Sequence, residues 1–190
     1  MNRTYAELAG LMTAMTGDEK HGPSATSTLD VLWVLYDRVL RVSPETVDDP
    51  GRDRFLLSKG HGPAAYYAVL AAKGFFPEEW LPRFGSEDSP LGYHPDRNLV
   101  PGVEISSGSL GHGLPLGVGL AHGLLARGLT EPRVFVLVGD AELDEGSGPS
   151  SRSSSTSGTR GRRLCWSASA RPTMPRGRGG RIRHRRTFCW

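Results

Sequence analysis

An aspartate at the end of an apolar run, and histidines in polar loops, are the groups through which this chain could do chemistry. Val134-Phe-Val-Leu-Val138 runs directly into Gly139-Asp140, after which the chain turns acidic through Glu142, Asp144 and Glu145. A short continuous apolar run bounded by turn residues predicts a strand buried on both faces, as in a parallel sheet. Open α/β sheets bind ligands beyond the carboxyl ends of their strands. Asp140 stands at that edge, where a carboxylate can hold a hard cation against a phosphate. The alternative is a strand-to-helix turn with Asp140 as its cap. His61 follows a second short run, Asp53-Arg-Phe-Leu-Leu57, and precedes Pro63, a favoured first residue of a helix. A helix amino terminus there would favour anions, and a histidine serving only the turn fits the same pattern. His21 and His94 complete a set of four loops with Asp140 and His61. None of the six histidines forms a tightly spaced pair such as His-x3-His, so no zinc site is expected.

The elements that must position these groups follow from periodicity. Residues 4–16 carry apolar positions at helical spacing up to Gly17, and a polar loop containing His21 follows. Thr26 or Ser27 can cap a second helix with Leu29, Leu32, Tyr36 and Val39 on one face. Residues 53–57 read as a strand, 63–73 as a helix stopped by Gly74, and Pro77 opens a short helix through Leu81. Residues 84–109 are broken by glycine and proline, a connection long enough to be functional or disordered, and Tyr93-His94-Pro95-Asp96-Arg97 favours function. Gly108-Ser-Leu-Gly-His-Gly113 then leads into helix 114–127; glycines there let the backbone approach a ligand, with amides free to bind phosphate. Gly117, Gly119 and Gly123 within that helix suggest close packing on a neighbour. Helices and strands alternate, with glycine loops after the strands, which is an α/β pattern.

Charge divides the chain. All 20 acidic residues and 12 of the 23 Lys and Arg lie in residues 1–147, giving that body a net charge of −8. Residues 148–190 hold 11 Arg with neither Lys nor acid, a charge of +11. Both cysteines, Cys165 and Cys189, fall in this second part, so the body cannot depend on disulfides. The opening Met-Asn-Arg-Thr-Tyr-Ala-Glu is too polar for a secretory signal. No apolar run approaches the ~20 residues of a membrane span. A cytoplasmic protein without a membrane partner is expected.

Three segments, Asp53-Arg-Phe-Leu-Leu-Ser-Lys-Gly-His-Gly62, Gly102-Val-Glu-Ile-Ser-Ser-Gly-Ser-Leu-Gly-His-Gly113 and Gly139-Asp-Ala-Glu-Leu-Asp-Glu-Gly-Ser147, resemble the amino-terminal, thiamine diphosphate-binding part of the transketolases. The resemblance covers residues 5–147. It implies a three-layer thiamine diphosphate-binding fold, a mainly parallel sheet flanked by helices, over residues 1–147. It implies that His61 contacts the cofactor's diphosphate and the reacting carbon, and that Gly108, Ser109 and Leu110 line the cofactor pocket. Gly139, Asp140 and Ala141 fall on the diphosphate motif, with Asp140 a magnesium ligand and Ala141 where a glycine often stands. His21 and His94 match histidines that line the substrate channel and assist proton transfer on the sugar, work suited to imidazole. Glu145 matches an acid near the cofactor and the contact between subunits. His21-Gly-Pro departs from the usual His-Pro-Gly order. The implied activity is transfer of a two-carbon ketol unit between sugar phosphates. The glutamate that activates the aminopyrimidine belongs to a separate pyrimidine-binding domain, so the resemblance implies a C-terminal partner subunit, in a hetero- or homo-oligomer. Deoxyxylulose phosphate synthases and dehydrogenase-type decarboxylases are the alternative thiamine diphosphate enzymes; the His-Pro-Asp-Arg loop and Gly-Ser-Leu-Gly-His-Gly favour transketolase.

The family pattern continues with an asparagine at the end of the next strand, the second side-chain ligand of magnesium. Asn98 is the last asparagine of this chain, and no apolar run longer than a few residues follows Ser147. The expected domain is therefore incomplete, lacking further strands and leaving an exposed sheet edge, with an Arg-, Ser- and Gly-rich tail over 148–190 that is expected to be disordered. The abrupt change of composition suggests a tail read out of frame. A one-base shift near codon 148 should then restore an amphipathic helix and an asparagine-bearing strand; finding neither in the coding DNA would sink that idea. The rival is a basic module binding nucleic acid through phosphate contacts, although aromatics for base stacking are few: Trp166, Phe188 and Trp190. Nucleic acid is not the expected partner.

Overall fold

The computed structural model describes residues 3–17 and 22–146, together with the backbone of two later strands, 164–169 and 187–189. A four-stranded sheet runs in the order β1 (Arg54–Leu57), β2 (Val134–Gly139), β3 (Leu164–Ser169) and β4 (Thr187–Cys189). β1 and β2 are parallel with Phe55 opposite Phe135, β2 and β3 are parallel with Val134 opposite Leu164, and β4 returns antiparallel to β3. Every residue of β1 and β2 is buried, as the apolar run of β2 and Phe55–Leu57 of β1 predict; the charged Arg54 at the start of β1 is buried with them.

Alternation along these two strands divides the core into two layers. Phe55, Leu57, Phe135 and Leu137 pack with α1 (Leu8–Ala14), α3 (Leu29–Val34) and α4 (Ala64–Ala72) on one face. Leu56, Val134, Val136 and Val138 pack with Leu114 and Leu124 of α5 (Gly113–Ala126) on the other. The result is the three-layer α/β architecture expected from the sequence. α4 is buried over all nine residues, because α1, α3, the short α2 (Gly22–Thr26) and the 3-10 turn Glu78–Arg83 enclose it. Its five alanines let those neighbours approach. α3 does not continue regularly to Val39. It widens into a π turn over Leu35–Val39, closed by the Leu40 amide donating to the Leu35 carbonyl at 2.8 Å. Tyr36 in that turn enters an aromatic cluster with Phe55, Tyr66 and Phe75, its hydroxyl 3.1 Å from that of Tyr66.

The long connection 84–112 is packed and hydrogen-bonded despite its lack of regular structure. Leu91, Val100 and Val103 are buried anchors. Tyr67 donates from α4 to the Gly92 carbonyl at 3.0 Å, and Asp96 Oδ1 accepts from the Asn98 amide at 2.7 Å and from Ser106 Oγ at 3.2 Å. Two expectations need correction. Strands follow Ser147 after all: β3 pairs along the whole of β2, so the described β2 has no open edge. A parallel strand edge presents backbone donors and acceptors that any short extended segment can take up. The remainder of 148–190, where disorder was expected, lies outside the described residues. Of Gly117, Gly119 and Gly123 in α5, only Gly117 packs closely, where a Cβ would come 2.6 Å from Val136 Cγ2; Gly119 and Gly123 face open space among the described residues.

Candidate active site

Three loops meet at the carboxyl edge of β1 and β2. The first is Ser58-Lys-Gly-His-Gly62, which leaves β1 and enters α4; Gly62 makes the turn at φ 69°, a conformation that disfavours side chains. The second is the glycine segment 107–113 ahead of α5, and the third is Gly139-Asp140 with the 3-10 turn Ala141–Asp144. Gly60 lies directly on the Ser107–Gly108 peptide, where a Cβ would stand 2.6 Å from the Gly108 nitrogen. A Cβ on Gly108 would in turn lie 3.4 Å from His94 Cδ2. The fold thereby brings the His61 segment, the Gly108 segment and His94 together. His61 is half-buried, His94, Gly108 and Ser109 are exposed, and Leu110 is half-buried.

Asp140 occupies the cap position of the 3-10 turn, yet its side chain makes no capping hydrogen bond. It is exposed, and no hydrogen bond or ion pair engages its carboxylate among the described residues. That observation separates the two readings of Asp140 left open by the sequence: it is not acting as a cap. Ala141 and Glu145 are also exposed. Glu145 follows the turn as extended backbone, and its side chain contacts none of the three loops through a hydrogen bond or ion pair among the described residues. His21 lies outside the described residues. Nearby Ser24 is buried and accepts Lys59 Nζ on both its carbonyl oxygen, at 2.6 Å, and its hydroxyl, at 2.8 Å.

The expectation of free amides throughout the glycine segment holds for part of it. The Gly111 amide donates to Glu142 Oε1 at 2.9 Å, and the Gly113 amide donates to Ser58 Oγ at 3.0 Å. These two are committed because buried amides require a partner. The amides of Gly108, Ser109 and Leu110 have no partner among the described residues. Beside them Ser107 Oγ is buried without a hydrogen-bond partner among the described residues. Unused donors and an orphaned hydroxyl on one segment, at the same sheet edge as an uncommitted carboxylate, suit an anionic ligand bridged to a cation. Among the described residues no group of three or more His, Cys, Asp and Glu side chains could hold a metal by itself. β3 ends with Ser169 opposite Gly139, at the edge where the resemblance implies an asparagine.

Sequence reasoning missed Ser58, Lys59 and Glu142. All three are at least 98% buried, and together they hold the loops in place. Ser58 and Lys59 follow β1 directly, a position that could have marked them. Glu142 looks no different from Asp144 or Glu145 in the sequence, and only burial distinguishes it.

A layered α/β domain with unused donors at the carboxyl ends of its parallel strands is a binding domain for phosphate-bearing ligands. The profile of the family described as "Transketolase, thiamine diphosphate binding domain" matches residues 12–164, and the chain belongs to that family. It is 61% identical over 144 residues to a Rhodococcoides fascians protein named "Ferredoxin fas2", a match covering 76% of this chain and 47% of that protein. It is 45% identical over 127 residues to one of the subunits of an apulose-4-phosphate transketolase from Actinobacillus succinogenes, covering 67% of this chain and 46% of that one. The chain spans about half the length of these curated relatives. Among solved structures, a transketolase from Leishmania mexicana superposes with a TM-score of 0.60 at 27% identity, covering 80% of this chain and 25% of that one. A mutant transketolase from Pichia stipitis gives a TM-score of 0.64 at 28% identity, covering 78% and 23%. No helix among the described residues is long and apolar enough to cross a membrane.

Proposed function

We propose that this chain is the diphosphate-binding half of a split transketolase, acting with a separate subunit that carries the pyrimidine-binding domain. The observation that carries the reading is the meeting, at one sheet edge, of the His61 loop, the unused amides of Gly108, Ser109 and Leu110, and the uncommitted Asp140 carboxylate. The Actinobacillus relative, named as one subunit of a transketolase, supports the two-subunit arrangement. Thiamine diphosphate, when bound, supplies the nucleophilic carbon and electron sink needed to break and form a carbon–carbon bond beside a carbonyl. Gly108, Ser109 and Leu110 would donate their amides to the diphosphate. Asp140 would hold magnesium against it, with Gly139 and Ala141 shaping the turn. His61 would contact the diphosphate and, with His94 and His21, would hold or move protons at the hydroxyls of a sugar phosphate, since a neutral imidazole offers both a donor and an acceptor. Glu145, exposed beyond the turn, would meet the partner subunit.

Isothermal titration tests the reading. The chain alone is expected to bind thiamine diphosphate with magnesium weakly and to transfer no ketol unit, because no asparagine follows Asp140 to share the cation and the proposed reading puts the aminopyrimidine-activating glutamate on the partner subunit. Adding the partner subunit is expected to tighten binding and restore transfer. Sub-micromolar binding by the chain alone would contradict the incomplete site, and no binding with the partner present would overturn the cofactor assignment.

A further inference from the structure

Among the described residues, the one acid buried at the carboxyl edge of the sheet is one that the proposed chemistry does not use. Glu142 is 2% exposed. Its Oε1 accepts from Ser58 Oγ at 2.6 Å and from the Gly111 amide at 2.9 Å, and its Oε2 accepts from the Gly139 amide at 2.6 Å. Each of the three loops therefore supplies a donor to the same carboxylate. The polarity of the network is fixed. Ser58 Oγ accepts the Gly113 amide and so turns its proton to Glu142, an arrangement that needs an acceptor at both carboxylate oxygens. A carboxylate meets that requirement. A glutamine does not, because its NH2 would face either the Gly139 amide or the Ser58 and Gly111 donors.

The two acids of this turn have different environments: Glu142 is spent on the amide of Gly139, the residue before Asp140, whereas the Asp140 side chain makes no capping hydrogen bond and stays exposed. We propose that Glu142 is a positioning residue: its carboxylate locks the turn that presents Asp140 onto the glycine segment carrying the Gly108–Leu110 amides, making one unit of the two halves of the site. Its effect on affinity rests on the cofactor reading above; the locking does not.

Glu142→Gln in the full chain tests both separately. Amide hydrogen exchange is expected to speed up in 107–113 and 139–146 while α4 and β1 keep their protection. Titration with thiamine diphosphate and magnesium is expected to show affinity lower by roughly tenfold or more, the scale on which outer partners of metal ligands act. Ser58→Ala, which removes one donor and keeps the carboxylate, is expected to move both readouts the same way by less, and keeps the test usable if the Gln variant does not fold. Unchanged exchange in the two loops would overturn the locking. Faster exchange with unchanged affinity would overturn the positioning role. Faster exchange in a chain whose wild type binds no thiamine diphosphate even with the partner subunit present would support the locking and overturn the cofactor reading.

Discussion

Asp53 shows how much a single side chain sets at the edge opposite the site. It is 1% exposed. It accepts from the Arg133 amide at 2.8 Å, the Arg41 amide at 3.0 Å and Arg133 Nη2 at 2.6 Å, tying the start of β1 to the segments before β2 and after the π turn. Burial pushes its carboxyl pKa up, but the hydrogen bonds from Arg133 and Arg41 outweigh it and hold the group down from 3.8 to about 2. A depressed folded pKa stabilises the fold above the unfolded value and loses that stabilisation as pH falls through the folded one. About 2 kcal/mol should therefore disappear between pH ~4 and ~2. Urea unfolding of the wild type and Asp53→Asn across that window checks this: the wild-type curve should fall more steeply, and parallel curves would refute the assignment. At the other edge, Asp140 and Glu142 are two acids separated by one residue with opposite fates, one exposed and one buried.

At the scale of elements, α5 is seated by small residues at two points, Gly113 against Ser58 and Gly117 against β2. Gly117 lets the helix lie on β2, and a larger side chain there meets Val136 within van der Waals contact. Gly117→Leu should destabilise the chain by about 1–3 kcal/mol through overpacking, and should also shift the glycine segment at the start of α5. Gly123→Ala on the open face should stabilise it by about 0.5–1 kcal/mol, because alanine restricts the unfolded chain and favours helix. Thermal melts of the two variants should move in opposite directions. The helix positions were legible in the sequence, since Gly74 and the 108–113 run punctuate them. The glycines inside α5 were not separable: a glycine spared for packing and one facing open space have the same letter. The π turn was invisible for a similar reason, as its apolar spacing continues that of α3.

At the scale of the whole molecule, β3 is what closes the described edge of β2. A chain cut after Gly146 would leave six residues of a buried, apolar strand with unpaired backbone groups. Such an edge is a template for pairing with other chains. The truncated form is expected to scatter light and melt at lower temperature than the full chain, and equal melting with no scattering would show that β3 does not carry the edge.

The sequence by itself determined the class of the fold and named the candidates for the site. Two uninterrupted apolar runs ending at Ser58 and Gly139 imply a parallel sheet, and glycine-rich loops after them imply ligands at that edge. It determined His61, Gly108 and Asp140 as candidates because motif and position agree at each. Tertiary structure decided which groups are available. It committed the Gly111 and Gly113 amides, left those of Gly108, Ser109 and Leu110 unused among the described residues, denied Asp140 a capping role and buried Glu142 among three loops. The physical reason is that a residue's type fixes what it can donate or accept, while burial and distant partners fix whether that capacity is already spent within the chain. Ser58 and Glu142 are 84 residues apart, and no local pattern records their meeting.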